Sequence, residues 1–160
     1  MTIKVGDRMP SGKFRTMGAN GPQELTTAAL FDGKRVLLVS VPGAFTPTCS
    51  QKHLPGYVAR AAELHSKGID TIACMAVNDV FVMDAWGKAA QADGKVLMLA
   101  DGNGDYVRAL GLEMDASGFG MGLRGKRFAL VARDGIVEQL NIESPGEFKV
   151  SSAETLVCQI

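Results

Sequence analysis

Three short apolar runs, rich in β-branched and aliphatic side chains, constrain the fold of this chain more than any other feature. They lie at residues 35–41, 71–77 and 95–100, and each has the length of a strand that is buried on both faces. Segments with apolar residues at helical spacing follow the first two runs, at about 54–64 and 79–92. Strands that alternate with helices in this way predict an α/β architecture.

The last third of the chain departs from this alternation. Residues 105–110 predict a short helix, and residues 127–142 form two apolar runs around Arg133-Asp134-Gly135, which is typical of a hairpin. Residues 152–157 predict a closing helix. The whole pattern predicts one domain spanning 1–160, with a central mixed β-sheet and helices on both faces.

Charge and composition argue against several classes of protein. The 17 Lys and Arg residues balance 17 Asp and Glu, so the chain lacks the basic excess typical of nucleic-acid binders. Hydrophobic residues make up 46% of it, which is ordinary for a globular protein. No apolar run approaches the roughly 18–20 residues needed to cross a membrane, and the first eight residues lack the apolar core of a signal peptide. We therefore expect a cytoplasmic protein that binds neither nucleic acid nor membrane.

The cysteines argue against a disulfide framework. Cys49, Cys74 and Cys158 are odd in number, and no two of them form a Cys-x-x-Cys pair. In a reducing compartment each thiol is a buried packing group, a metal ligand or a reactive group.

Cys49 carries the strongest local signal, because it follows the first predicted strand where that strand ends and a helix begins. Thr46 can act as N-cap with Pro47 at the first helical position, or Thr48 and Gln51 can form a capping box. In either case Cys49 falls in the first helical turn. Free backbone N–H groups and the helix dipole stabilise an anion such as a thiolate there. The position therefore favours a reactive thiol over a packing residue.

The segment Pro42-Gly43-Ala44-Phe45-Thr46-Pro47-Thr48-Cys49 resembles the Pro-x-x-x-Thr-x-x-Cys signature of peroxiredoxins, in the wording of the peroxiredoxin 5 or type II subfamily. The resemblance continues in the expected order over most of the chain, at residues 52–56, 76–79, 85–87, 99–101 and 126–131. It implies a thioredoxin-like fold, peroxidase activity, no metal or organic cofactor, and frequently a homodimer.

The resemblance also implies the roles of four residues. Cys49 is the peroxidatic cysteine, whose thiolate attacks a hydroperoxide and becomes a sulfenic acid. Thr46 aims its hydroxyl at the thiolate and the peroxide, and Pro42 walls the pocket. Arg127 holds the thiolate charged and stabilises the stretching O–O bond. The residues alone do not single out Arg127, because a basic residue at the start of a strand is equally typical of a solvated turn or an ion pair.

The reduction of the sulfenic acid requires a second thiol. Cys74 resembles the second cysteine of plant and bacterial type II enzymes, but its strand predicts burial, so a packing thiol is an equal alternative. Residues 149–154 lack the cysteine that animal peroxiredoxin 5 relatives carry in that region, and Cys158 has no assigned role. We expect reduction by glutathione or glutaredoxin, with thioredoxin as the second candidate.

Two other kinds of site use the same residues. Cys49 and His53 are four apart and can share a helical face, but structural zinc needs four ligands in paired spacings. A cysteine hydrolase needs a histidine base with an orienting group, and His53 is the one nearby candidate. We expect His53 on the helix surface or at the rim of the site.

Two alternatives keep the fold but change the function. A thioredoxin-like disulfide reductase would need a cysteine at the position of Thr46. A redox sensor or binding module without significant peroxidase turnover is the alternative function. Apolar neighbours at Phe45, Trp86 and Phe119 suggest room for alkyl hydroperoxides beside hydrogen peroxide. Phe45 and Phe81, with the glycine-rich loop at 118–122, are candidate dimer contacts.

Overall fold

The computed structural model describes all 160 residues, and nine strands form two sheets. The strands are β1 (Lys13–Gly18), β2 (Gly21–Thr26), β3 (Arg35–Ser40), β4 (Thr71–Ala76), β5 (Leu97–Ala100), β6 (Glu113–Asp115), β7 (Leu123–Gly125), β8 (Phe128–Arg133) and β9 (Ile136–Ile142). The main sheet has the order β2-β1-β5-β4-β3-β8-β9, and β6 pairs with β7 separately. The three central strands β5, β4 and β3 are parallel, and antiparallel strands flank them on both sides. The predicted mixed sheet is confirmed.

Six α-helices and two short turns of other helix types complete the fold. They are α1 (Thr27–Phe31), α2 (Leu54–Ala59), α3 (Ala61–Ser66), α4 (Val80–Ala89), α5 (Asp105–Leu110) and α6 (Ala153–Gln159), with a π-helical turn at Cys49–His53 and a 3₁₀ turn at Ser117–Phe119. Side chains of Asp79 and Ser152 cap α4 and α6. The continuous helical pattern at 54–64 is broken at Arg60, where α2 ends and α3 begins. None of the helices combines the length and the apolar character that crossing a membrane requires.

Two hydrophobic cores lie on opposite faces of the sheet. Leu37 and Val39 of β3 point into one core, whereas Val36 and Leu38 point into the other, as the period of two along a strand requires. The first core packs against α2, α3, α4 and α6, and the second against α1 and α5. Each buried aliphatic side chain contributes about 1.5–3 kcal/mol to folding. The expected helices on both faces are thereby confirmed.

The two hairpins of the main sheet differ in how well the sequence predicts them. The β8–β9 hairpin is confirmed, and its turn residues Asp134 and Gly135 both have positive φ, as a tight two-residue turn requires. The β1–β2 hairpin has no counterpart in the sequence analysis. It lies at the edge of the sheet and buries only Phe14 and Thr16 of its twelve residues, so it leaves little hydrophobic periodicity to detect.

One edge of the main sheet brings together three segments that are distant in the chain. Ser40, the last residue of β3, pairs with Met75 near the end of β4 and with Phe128 at the start of β8. The loop after β3, the loop after β4 and the residue before β8 therefore meet at the same edge, where the carboxyl ends of the parallel strands lie.

Candidate active site

The loop after β3 is held in place by hydrogen bonds to its own backbone and to the loop after β4. The Ala44 N–H donates to Asn78 Oδ1 at 2.9 Å, and the Thr46 hydroxyl donates to the Gly43 carbonyl at 2.7 Å. Phe45 has a φ of 63°, in the left-handed region that a bulky side chain rarely adopts. Such strain persists only where surrounding contacts fix the backbone, and it is common at functional sites.

Cys49 lies in the first turn of the helix that follows this loop, as predicted. Residues 47 and 48 are already helical, and the Ser50 N–H donates to the Thr46 carbonyl at 2.9 Å. The alternative capping box is wrong, because the Thr48 side chain makes no capping hydrogen bond. Cys49 is fully buried.

The π-helical turn from Cys49 to His53 widens the helix by one residue at this point. The Leu54 N–H donates to the Cys49 carbonyl, five residues back. Pro55 follows directly and has no N–H to donate to an ordinary helical partner, which favours an irregular turn before it. The side chains of Cys49 and His53, at the two ends of the turn, are both buried.

Arg127 reaches this buried pair from the residue before β8. Its Nη2 lies 3.0 Å from Cys49 Sγ, and its Nη1 donates to His53 Nδ1 at 2.8 Å. The guanidinium also lies 5.9 Å from the centre of the Phe148 ring, within the range of a cation–π contact. The structure therefore brings together the cysteine and the arginine that the resemblance selected.

His53 is the clearest correction to the sequence analysis. The expected surface or rim position is wrong, since the imidazole is completely buried. Burial, together with the Arg127 charge, lowers the pKa of His53 to about 3. The neutral ring accepts from Arg127 at Nδ1, so it donates from Nε2 to the Ser151 carbonyl at 3.0 Å. The four-residue spacing between Cys49 and His53 is the sequence signal that could have placed His53 next to the thiol.

The same arrangement argues against a metal at this point. No three His, Cys, Asp or Glu side chains cluster in a way that could hold an ion. His53 Nδ1 is already bonded to a guanidinium, and the positive charge of Arg127 next to Cys49 Sγ opposes a cation there. The hydrolase alternative fails for a related reason, because His53 contacts Arg127 and Ser151 instead of orienting toward an Asp or Glu.

Ser151 and Glu143 form the outer part of the network, and neither residue has a motif in the sequence that predicts this role. The Ser151 carbonyl accepts from His53 and from the Tyr57 hydroxyl, the latter at 2.5 Å. Glu143 Oε2 accepts from the backbone N–H groups of Lys149 and Ser151 and from the Ser151 hydroxyl, at 2.7–2.8 Å. Burial alone raises the pKa of the Glu143 carboxyl, but these hydrogen bonds outweigh it and leave the pKa lowered.

Thr46 and Pro42 lie in the loop beside this network. The Thr46 hydroxyl gives its proton to the Gly43 carbonyl, so its oxygen can only accept a further hydrogen bond. The orientation of the Thr46 hydroxyl toward the thiolate and the peroxide stays a prediction. The half-buried Pro42 presents its carbonyl to Arg124 Nη1 at 3.4 Å.

Cys74 is close in the fold to Cys49 but has a different environment. It lies in the centre of β4, opposite Val39, and belongs to the same core as Cys49. Burial and the neighbouring Cys49 raise the pKa of the Cys74 thiol well above its usual value. A thiol held in its neutral form is a poor nucleophile. Cys158, by contrast, is exposed on α6.

One open cleft in the structure lies away from Cys49. It has a volume of about 400 Å³ and lies at the amino ends of β4 and β5, where Thr71 and Leu97 line it beside Gly87 and Lys88 of α4. Cys49 is at the opposite, carboxyl-terminal edge of these strands. A buried sulfur surrounded by packed side chains suits a small substrate better than a bulky one.

Comparison with known proteins bears on both fold and chemistry. The sequence pattern of the Redoxin family matches residues 4–157. The chain is 50% identical over 161 residues to Peroxiredoxin-2E-2, chloroplastic, of Oryza sativa subsp. japonica, covering 98% of this chain and 72% of that protein. It is 49% identical over 156 residues to Peroxiredoxin-2B of Arabidopsis thaliana, covering 97% and 96%. Reduced Prx3 of Vibrio vulnificus in complex with H2O2 superposes with a TM-score of 0.95 and 47% identity, over 99% of both chains.

These similarities extend over nearly the whole length of the chain and include the mixed sheet with helices on both faces. The predicted thioredoxin-like fold is confirmed, since the structure superposes on peroxiredoxins of that fold. The chain belongs to the Redoxin family and, within it, to the type II peroxiredoxins, which are thiol-dependent peroxidases with an antioxidant role.

Proposed function

We propose that Cys49 is the residue that reduces the peroxide, with Arg127, Thr46 and Pro42 as the other members of the active site. The observation that carries this proposal is the 3.0 Å contact between Arg127 Nη2 and Cys49 Sγ. A fixed guanidinium at this distance stabilises a thiolate by charge and by a hydrogen bond. Its position also suits the negative charge that develops on the peroxide oxygens.

The reaction forms one bond and breaks one. The Cys49 thiolate attacks one oxygen of ROOH, the O–O bond breaks, and RO⁻ leaves and takes up a proton to become ROH. The sulfur is oxidised to Cys49–SOH and the peroxide is reduced. Thr46 supports this step as an acceptor for the peroxide O–H, since its own proton is bonded to the Gly43 carbonyl. Pro42 limits the approach of water to the sulfur.

Hydrogen peroxide and alkyl hydroperoxides are the proposed substrates. The reduced Prx3 of Vibrio vulnificus, 47% identical to this chain, is described in complex with H2O2. Near the site, the Phe45 and Trp86 rings lie 6.4 Å apart, and the Trp86 indole donates to the Ser50 hydroxyl at 2.9 Å. The exposed Phe45 ring of this pair offers apolar contact to an alkyl group, whereas Trp86 is buried beneath it.

An external thiol is the proposed reductant, with glutathione or glutaredoxin favoured over thioredoxin. Cys74 is buried in the strand centre, and its raised pKa disfavours attack on a sulfenic acid. Its participation would require β4 to open, which costs a large part of the stability of the central sheet.

A homodimer is the proposed assembly. Phe45, Phe81 and Phe119 expose 54%, 64% and 85% of their surface, so these three aromatic rings are available for contact with a second copy of the chain. Burial of these rings against a second copy would remove apolar area from water. Sedimentation of the wild type and of Phe81→Ser over a range of concentrations tests this: a dimer that the substitution leaves unchanged contradicts a contact at this residue.

The cytoplasm is the proposed location, because all three cysteines are free and Cys49 must be kept reducible between turnovers. Fractionation of cells that make the protein tests this, and recovery in an oxidising compartment would contradict it.

The activity is tested by peroxide consumption with an excess of thiol, in the presence of a chelator. We expect turnover by the wild type, none by Cys49→Ser, and wild-type turnover by Cys158→Ser as the matched control. Activity that survives in Cys49→Ser would overturn the assignment. Stoichiometric oxidation of Cys49 without turnover by any thiol would instead favour the redox sensor.

A further inference from the structure

A second arginine contacts the loop after β3 and has no acidic partner. Arg124, in β7, is half-buried and forms no ion pair. Its Nε donates to the Met121 carbonyl at 2.9 Å, and its Nη1 makes a longer contact of 3.4 Å with the Pro42 carbonyl. Backbone groups on two sides therefore fix the direction of the guanidinium.

Gly43 allows this guanidinium to approach the loop in front of Cys49. A Cβ atom on Gly43 would lie 3.1 Å from Arg124 Nη1 and 3.2 Å from the Thr46 methyl group. The Arg124 guanidinium and Thr46 thus lie against the same face of Gly43. This places Arg124 beside the loop that carries Pro42 and Thr46 and leads to Cys49.

Most of the hydrogen-bonding capacity of Arg124 is unused. A guanidinium has five N–H donors, and only two of them have partners here, one at long distance. No acidic side chain occupies the remaining donors, because Arg124 takes part in no ion pair and its partner across the β6–β7 pair is Met114. A planar fork of free donors fits a carboxylate in two-point contact.

We propose that Arg124 binds a carboxylate group on the thiol that reduces oxidised Cys49. This proposal rests on the proposed peroxidase function and deepens it by naming the chemical group on the reducing thiol that Arg124 recognises. The peroxide step uses Arg127 at the sulfur, whereas Arg124 makes no hydrogen bond to Cys49 and contacts the Pro42 carbonyl in the loop. A ligand that reaches both Cys49 Sγ and Arg124 must be larger than a peroxide group. A thiol such as glutathione, with a carboxylate at each end, meets this requirement.

The step balances without a further reactant. The thiol sulfur attacks Cys49–SOH, an S–S bond forms, the S–O bond breaks, and the oxygen leaves as water with the thiol proton. The Cys49 sulfur is reduced and the thiol sulfur is oxidised. A second thiol molecule then attacks the mixed disulfide and releases a disulfide and the Cys49 thiol. Arg124 holds the carboxylate of the first thiol while its sulfur approaches, so its contribution is one of positioning the ligand.

The test compares glutathione with its diethyl ester, which lacks both carboxylates. The protein is oxidised with one equivalent of H2O2, and formation of the mixed disulfide is followed by mass at equal thiolate concentrations. In the wild type we expect the glutathione rate constant to exceed that of the ester. In Arg124→Gln we expect the ratio of the glutathione rate constant to the ester rate constant to fall at least tenfold. Arg124→Lys should recover part of this ratio. Arg60→Gln is the control and should keep the wild-type ratio, because the Arg60 side chain, between α2 and α3, contacts Glu63 instead of the loop.

Three results would overturn the proposal. If Arg124→Gln lowers the rate constants for glutathione and for its diethyl ester equally, their ratio is unchanged, and Arg124 only stabilises the conformation of the loop. Arg124→Gln could instead lower the ratio of the oxidation rate constants for a carboxylate-bearing hydroperoxide and its methyl ester, and leave the thiol ratio unchanged. Arg124 would then bind a carboxylate on the peroxide and not on the thiol. For the wild type alone, added salt should slow glutathione more than the ester, and equal slowing contradicts the proposal. Failure of the peroxidase function is distinct, because H2O2 would then leave Cys49 unoxidised.

Discussion

The Arg127 guanidinium bridges Cys49 and His53, with one terminal nitrogen 3.0 Å from Cys49 Sγ and the other 2.8 Å from His53 Nδ1. The arginine is thus fixed from behind by a neutral imidazole, which does not compete with the sulfur for its charge. His53 is fixed in turn by the Ser151 carbonyl. The orientation of the charge next to the thiol therefore depends on a chain of buried contacts.

Replacement of Arg127 by Gln should lower the rate constant for oxidation by H2O2 by about 10²–10³-fold. The substitution removes the charge and the donor at Cys49 Sγ, and loss of one preorganised donor has an effect of this size in other enzymes. Stopped-flow measurement of Cys49 oxidation checks it. Arg108→Gln, at an exposed site on α5, is the control, and a loss of less than threefold in Arg127→Gln would contradict the role of the guanidinium.

The buried His53 should make the protein sensitive to acid. Its pKa is about 3 in the folded protein and 6.5 for a free histidine side chain, so between these pH values the unfolded chain binds a proton that the folded chain does not. Its contribution to stability is fully present above pH 6.5 and falls as the pH drops towards 3, by up to about 1.4 kcal/mol per pH unit.

Urea unfolding of the wild type, His53→Gln and His65→Gln between pH 7 and 4 measures this contribution. The free energy of unfolding should fall less steeply with acid in His53→Gln than in the wild type. The exposed His65 is the control for the substitution itself, because its replacement leaves the buried His53 in place. Equal slopes in all three proteins would show that His53 is not held neutral by the fold.

Cys74 should take no part in the first product of oxidation. After one equivalent of H2O2, the intact mass of the wild type and of Cys74→Ala should rise by one oxygen, because Cys74 is buried as a neutral thiol. Loss of two hydrogens in the wild type, absent in Cys74→Ala, would instead identify a Cys49–Cys74 disulfide. In that case Cys74, and not an external thiol, would be the first thiol to react with the Cys49 sulfenic acid.

Substitution of Glu143 by Gln should destabilise the segment that supports His53. The Glu143 carboxylate accepts three hydrogen bonds from residues 149–151 through one oxygen, and an amide replaces part of this acceptor capacity with a donor. We expect a loss of about 1–3 kcal/mol in the free energy of unfolding, together with slower oxidation of Cys49. Glu147→Gln, an exposed glutamate in the same segment, is the control for both measurements, and matching losses there would contradict the role of Glu143.

The sequence predicts the parts of this protein that depend on neighbours along the chain. The strand–helix alternation, the hairpin at Asp134–Gly135 and the helix start before Cys49 follow from local periodicity, turn residues and capping. The β1–β2 hairpin escapes prediction because an edge hairpin with mostly exposed side chains has no apolar period. The π-helical turn escapes it because its hydrogen bonds differ from those of an α-helix by a single residue.

The candidate active site depends on contacts between residues that are far apart in the sequence. Cys49 could be selected from its position alone, and Arg127 only through a family resemblance, because nothing near Arg127 in the sequence distinguishes it from a surface arginine. Its contacts to His53 and Cys49 join residues 74 and 78 positions apart, and His53 meets Ser151 across 98 positions. The fold class and the reactive cysteine follow from the amino-acid sequence, since both arise from local pattern. The surroundings of that cysteine follow only from the folded chain, since strand pairing between distant segments sets its burial and the orientation of its neighbours.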